Sequence, residues 1–151
     1  MSSIEPNLPA FREAAADDWV VIEALLSEAR LPLDGAQAHL ASFVIGETDG
    51  AVVCAGALER YGAVALLRSV VVSADRRGSG VGGLLYDELI AKARARGIGK
   101  LFLLTTTAAP YFARRGFAQE ARDAVPTALQ ASREFQGACP ASATLMSLSL
   151  S

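Results

Sequence analysis

Histidine is almost missing from this 151-residue chain, with His39 the single example, and cysteine occurs only at Cys54 and Cys139. Without a His, Cys and carboxylate cluster at ligand spacing, no metal site is expected. Cys54 lies in an apolar run and Cys139 in a late loop, so no disulfide framework is expected. Cys139 also has no histidine near it in sequence, and it reads as a small hydrophobe rather than a nucleophile. No apolar run is long enough to span a bilayer, and residues 1–10 lack the basic-then-apolar pattern of a signal peptide. A net charge of −2 provides neither a basic stripe for nucleic acid nor a polybasic patch for a membrane surface. Internal repeats, low-complexity tracts and linkers are absent as well. What is present is apolar: such residues make up 52% of the chain, enough for a sizeable core. One cytoplasmic domain covering residues 1–151 is the expectation.

The apolar pattern divides that domain into elements. Leu8–Glu13 reads as a first strand. Asp17 and Asp18 precede Val20, Val21, Ala24, Leu25 and Leu26, a helical stripe with acids at its N-terminus that ends near Pro32. Leu33–Ala41 reads as a second short helix. Ser42–Glu47 and Ala51–Glu59 are strands joined by Thr48-Asp49-Gly50, and Tyr61-Gly62 turns the chain again into Val64–Ser73. Leu84, Leu85, Leu89, Ile90 and Ala93 form the buried face of a central helix that stops at Gly97. Leu101–Thr105 is a short strand, Ala109–Arg115 a helix, and Phe117 begins another strand. Pro126–Phe135 reads as a last helix and Ala143–Leu148 as a closing strand. The order implies an α+β fold: a mixed, mostly antiparallel sheet of six to seven strands around one central βαβ unit, Val64–Thr105.

The most informative segment joins the two halves of that unit. The β-branched run Val70-Val71-Val72 leads into Arg76-Arg77-Gly78-Ser79-Gly80-Val81-Gly82-Gly83, which opens the central helix. Glycines at a strand-to-helix turn let backbone N–H groups approach phosphates, and the first helical turn adds unpaired donors and partial positive charge. Such a turn is suited to a diphosphate. Gly78-x-Gly80-x-x-Gly83 matches the dinucleotide fingerprint, but the next strand ends in Thr105-Thr106-Thr107 instead of the ribose-binding acid expected roughly 20 residues on. The upstream hairpins do not fit a Rossmann half either. A P-loop is excluded because no Gly-Lys-Ser/Thr follows.

The loop instead resembles the acetyl-CoA loop of the GNAT superfamily of N-acetyltransferases. That pattern, Arg/Gln-x-x-Gly-x-Gly/Ala, is met by Arg77, Gly80 and Gly82, and the family's aromatic-x-x-x-Gly-Phe segment is met by Phe112–Phe117. The resemblance implies that acetyl-CoA is the co-substrate. Its diphosphate would meet Arg77, Gly78, Ser79, Gly80, Val81, Gly82 and Gly83. Its pantetheine arm would pair with Val70, Val71 and Val72, and Phe112 would stand beside it. The strands flanking the central helix would part, and a neutral amine would attack the thioester between them, with placement and an oriented amide dipole as the protein's main contributions. Members of the superfamily are often dimers.

The attacking amine must lose a proton. Glu59, ending the third strand beside the expected cleft, is the base candidate; a solvated strand end is the alternative. Many members protonate the leaving thiolate with a tyrosine where this chain has Phe112. Tyr111 is adjacent, and helix neighbours point about 100° apart, so its hydroxyl is expected to aim elsewhere. Arg68, inside the apolar Leu66-Leu67-Arg68-Ser69, needs a partner: either Glu59 on the adjacent strand, or a substrate carboxylate or oxyanion. The segments Glu59-x-Tyr61-Gly62, Ala65–Ser69, Leu104–Thr107 and Glu134-Phe135-x-x-x-Cys139-Pro140-x-Ser142-Ala143 together resemble the arsenic-resistance N-acetyltransferases. This resemblance implies a small-molecule amine with a second acidic group, such as arsinothricin or another glutamate analogue. Arg68 would hold the anionic end, and Thr106 and Ser142 would add polar contacts. Turn and strand-start roles would explain those last two residues equally well.

Overall fold

The computed structural model describes residues 8–132 and 142–150. Seven strands form one sheet: β1 (Ala10–Glu13), β2 (Phe43–Thr48), β3 (Ala51–Tyr61), β4 (Val64–Val72), β5 (Lys100–Thr105), β6 (Ala118–Glu120) and β7 (Thr144–Ser149), in spatial order β1-β2-β3-β4-β5-β7-β6. Only the β4–β5 neighbours run parallel. Among the described residues three α-helices accompany the sheet: α1 (Trp19–Glu28), α2 (Val81–Ala95) and α3 (Ala109–Arg114). The α+β class and the single βαβ unit are therefore as expected from the sequence.

Local chemistry sets the turns. Thr48 pairs with Ala51 across a two-residue loop whose Asp49 and Gly50 both have positive φ, at 53° and 80°. That geometry matches the right-handed twist of the strands it joins. The β3–β4 turn is as short, with Gly62 at φ 68°. α2 ends where Gly97 takes a left-handed conformation and the Ile98 N–H donates back to the Ala93 carbonyl at 3.0 Å.

Apolar side chains fill both sides of the sheet. Leu85, Leu89, Ile90 and Ala93 of α2 pack with Leu58, Leu67, Leu101 and Leu103, and Ile22 and Leu26 of α1 pack with Phe43, Ile45, Ala55, Ala57 and Val71. Gly56 permits the close approach of α2, because a Cβ there would lie 2.7 Å from a Leu89 methyl.

One feature of β4 is absent from any simple alternation pattern. Ala57 opposes Arg68 whereas Ala55 opposes Val71, so β4 carries an extra residue against β3. At this bulge Ser69 has φ 58°, an uncommon conformation for a residue with a Cβ. The alternation inverts accordingly: Leu67 belongs to the α2 side, yet Val71, an even number of residues later, belongs to the α1 side. β4 and β5 pair only from Val64–Leu66 to Lys100–Phe102. Beyond Leu66, β4 stays with β3 and β5 stays with β7, and the two strands part.

Two expected helices differ from the sequence pattern. The Leu33–Ala41 segment contains a 3-10 stretch, Gln37–Ser42, interrupted by non-helical angles at His39. Thr127–Ala131 is also 3-10 in place of the first part of a Pro126–Phe135 α-helix, and residues 133–135 lie outside the described residues. Alanine content and apolar spacing suit either helix type, and tight connections to the sheet favour the shorter form.

Leu89 is fully buried at the α2–sheet contact. Leu89→Ala is expected to lower unfolding free energy by about 2–5 kcal/mol in urea denaturation. A change below about 1 kcal/mol would contradict the packing described.

Candidate active site

The parting of β4 and β5 opens a cavity of about 760 Å³. One wall is Leu67–Val72 of β4; the other is Leu103–Thr105 of β5 with Thr106, Thr107, Ala108 and Phe112, and residues 28–32 at the end of α1 complete the rim. β4 residues beyond Leu66 have no strand partner on this side, so this edge offers backbone groups to whatever enters.

At the end of β4 the chain makes a short 3-10 turn, Ala74–Arg76, and reaches the glycine loop. Gly78 and Gly80 have φ of 81° and 90°, which glycine adopts without the penalty that a Cβ imposes. Gly80 is the N-cap of α2 and supplies no side-chain cap, and no acidic residue occupies the first turn. The first-turn amides of α2 thus keep their donors for a ligand, at the positive end of a 15-residue helix. Val81 turns its side chain into the core and brings only its backbone to the loop. Arg77 folds back: its Nε donates to the Val72 carbonyl at 3.1 Å, and its Nη2 lies 3.8 Å from Glu28. The Ser79 hydroxyl donates to the Arg76 carbonyl. Val70, Val71, Val72, Arg77 and Phe112, all expected at the cofactor site, line the cavity.

Arg68 and Glu59 form a buried pair. Arg68 opposes Ala57 and Glu59 opposes Leu66, which makes them diagonal neighbours on one sheet face. Arg68 Nη1 donates to Glu59 Oε1 at 3.1 Å, Nη2 to the Asp34 carbonyl at 2.8 Å, and Nε to the Ser69 hydroxyl at 3.2 Å. The Tyr61 hydroxyl donates to the other Glu59 oxygen, Ser132 adds a hydrogen bond, and His39 Nε2 stands 3.7 Å from Oε1. Burial opposes the charge on Glu59, but the bonds from Tyr61, Ser132 and Arg68 outweigh it and hold the carboxyl below its ordinary range. Burial and the bond to Glu59 push the Tyr61 phenol up to about 12.

Sequence expectations for these residues divide. Arg68 has its ion pair with Glu59, and although the residue borders the cavity its side chain is fully buried behind the wall. Glu59 is fully buried behind Arg68 and does not contribute to the cavity wall, instead of ending β3 in solvent. Thr106 is exposed at the cavity rim. Ser142 is exposed in the turn before β7, away from the lining. Phe112 occupies the cavity wall, and the Tyr111 hydroxyl points to α2, 3.9 Å from where a Cβ on Gly82 would lie. Cys139, Glu134 and Phe135 fall outside the described residues. Among the described residues no group of three or more His, Cys, Asp or Glu could hold a metal, and no helix is long and apolar enough to cross a membrane.

Several participants carried no sequence signal. His39, in the segment expected as the second helix, stands within 3.7 Å of the buried carboxylate. The Asp34 carbonyl and Ser132 come from irregular segments whose position no periodicity fixes. The Ser69 bulge is marked by no glycine or proline in Leu66–Val72.

Known proteins resemble this chain in sequence and fold. The sequence model of the acetyltransferase (GNAT) family matches residues 8–119. An amino-acid acetyltransferase from Ralstonia nicotianae is 32% identical over 131 residues, covering 80% of this chain and 29% of that protein. One from Shewanella oneidensis is 37% identical over 93 residues, 58% of this chain and 20% of the relative. The chain therefore spans less than a third of the length of these relatives. Among solved structures, N-acetylglutamate synthase from Neisseria gonorrhoeae, complexed with coenzyme A and N-acetyl-glutamate, superposes with a TM-score of 0.82 at 26% identity. The match covers 97% of this chain and 36% of that one. Rv2747 from Mycobacterium tuberculosis shares the fold over its whole length, with a TM-score of 0.77 at 23% identity, covering 95% of this chain. With sheet order, glycine loop and family match in agreement, the chain belongs to the acetyltransferase (GNAT) family.

Proposed function

We propose that this protein transfers the acetyl group of acetyl-CoA to the amine of a small acidic amino acid or analogue, of the glutamate or arsinothricin kind, by direct attack. The observation that carries this reading is the opening between β4 and β5, which joins a glycine-built, uncapped helix start to a buried arginine. Relatives named amino-acid acetyltransferases, and a structural neighbour holding coenzyme A with N-acetyl-glutamate, support an amino-acid acceptor.

In this mechanism the donor's diphosphate lies on the amides of residues 78–83, and its pantetheine arm follows the unpaired edge of Val70–Val72. Arg68, its guanidinium fixed by Glu59, the Asp34 carbonyl and Ser69 and buried behind the cavity wall, supplies positive charge toward the acceptor's carboxylate. The neutral amine adds to the thioester carbon, and an amide of β4 near the bulge donates to the oxygen as it gains charge. The new N–C bond forms, the C–S bond breaks, and the amine's surplus proton ends on the thiolate through solvent. A thiol with an ordinary pKa near about 8.5 leaves without an acid, which suits Phe112 in the cavity wall. We assign Glu59 the anchoring of Arg68, because a carboxylate held below its usual range is a weak proton acceptor.

A non-catalytic acyl-CoA sensor is a second reading, favoured by Phe112 at the family's tyrosine position. An acetyltransferase of peptide N-termini is a third, and a fixed cation behind the cavity wall suits it less than a compact anionic acceptor. CoA release assayed over amino acids, glutamate analogues and peptides separates them. Thiol release with acidic amino acids is the expected result; tight acetyl-CoA binding with no release for any amine supports the sensor.

Tyr111→Phe is expected to leave most of kcat intact, because the hydroxyl faces α2; a thousandfold loss would refute this. The lowered carboxyl of Glu59 also sets a pH dependence. Its charged form stabilises the fold above the ordinary carboxylate range, and that contribution disappears as pH falls through the folded value. Thermal melts should therefore show Tm falling more steeply on acidification in wild type than in Glu59→Gln. That variant should lose about 3–5 kcal/mol at neutral pH by leaving Arg68 without its counter-charge. Parallel melting curves across the acid range would contradict the assignment.

A further inference from the structure

The first turn of α2 carries a second cationic feature besides its own dipole. Arg115, following α3, lies against this turn: a Cβ on Gly83 would come within 2.9 Å of its Nη2. Two rings hold the guanidinium there, with centroids 4.8 Å away for the buried Tyr86 and 5.1 Å for Tyr111. The Tyr111 hydroxyl reaches the same turn beside Gly82. A cation at the positive end of a helix is electrostatically adverse, so the aromatic contacts work against the field at this point. The carboxylate of Asp87 offers little compensation, at 3.9 Å from Nη1 and 74% exposed. Arg77 is turned away toward Val72 and Glu28. An anion in front of α2 would meet the first-turn amides, the Arg115 fork and the Tyr111 hydroxyl together, and glycine at 82 and 83 keeps the approach clear.

We propose that Arg115, held by Tyr86 and Tyr111, binds a phosphate of the nucleotide half of the acyl donor and sets the preference for that donor over its bare pantetheine arm. This rests on the acetyl-CoA reading above. Arg115 makes no contact with the cavity where the acyl group and amine would meet, so its role is binding and specificity.

Equilibrium binding of CoA, dephospho-CoA and pantetheine to wild type, Arg115→Gln and Arg115→Lys tests the proposal. Arg115→Gln should weaken CoA binding by about tenfold or more and leave pantetheine binding unchanged, with Arg115→Lys in between. A loss that persists with dephospho-CoA assigns the diphosphate, and one that disappears assigns the 3′-phosphate; both support the proposal. Unchanged CoA affinity, or equal weakening for pantetheine as a purely structural role would give, overturns it. If wild type binds CoA no better than pantetheine, the acetyl-CoA reading and this proposal both fall.

Discussion

The separation of β4 from β5 is the constraint on which the remaining structure depends. Two parallel strands beside a packed helix would ordinarily keep their hydrogen bonds to the end, because an unpaired edge inside a protein is costly. Here the pairing stops after Leu66 and Phe102. The extra residue at Ser69 turns β4 against β3, and β5 finds its full complement of partners in β7. The separation leaves an open polar edge, a cavity above it and a helix N-terminus at one end. An extended ligand with hydrogen-bonding amides and a diphosphate satisfies all three at once.

The buried pair of Arg68 and Glu59 follows from the same geometry. An arginine at the edge of that opening cannot be solvated by the core around it, and it is held by a carboxylate, a carbonyl and a hydroxyl. A pair of this kind adds little net stability over an apolar substitute, but removing one partner leaves an uncompensated charge. Its value is therefore positional: the guanidinium is fixed in place. Tyr61, Ser132 and His39 surround the carboxylate from three different segments, so the cation's position depends on the fold as a whole.

Much of this was legible in the sequence, and the limits are physical. Strands β2 to β5 and helix α2 announce themselves through alternation, Asp49-Gly50 and Gly62 turns and the 3.6-residue stripe, since each depends on local chemistry. The glycine loop was legible for the same reason, and so was the diagonal closeness of Glu59 and Arg68, which follows from hairpin register. The sequence places Glu59 near the end of its strand beside the cleft, but its burial behind Arg68 depends on Asp34, Tyr61 and Ser132, brought in by tertiary packing. The bulge at Ser69 left no mark because Leu66–Val72 holds no glycine or proline, and the apolar residues flanking Arg68 and Ser69 fit either face after a register shift. Arg115 was likewise hidden: nothing in its sequence neighbourhood says that Tyr86, 29 positions earlier, would receive its guanidinium.

On the proposed function, the parted edge of β4 and the glycine loop form one binding surface for a diphosphate-bearing thioester. Amide hydrogen exchange with and without CoA tests it most directly. Slowed exchange confined to Val70–Val72 and residues 78–83, with β1 and β6 unchanged, is the expected result. Protection elsewhere with those two segments unaffected would contradict it.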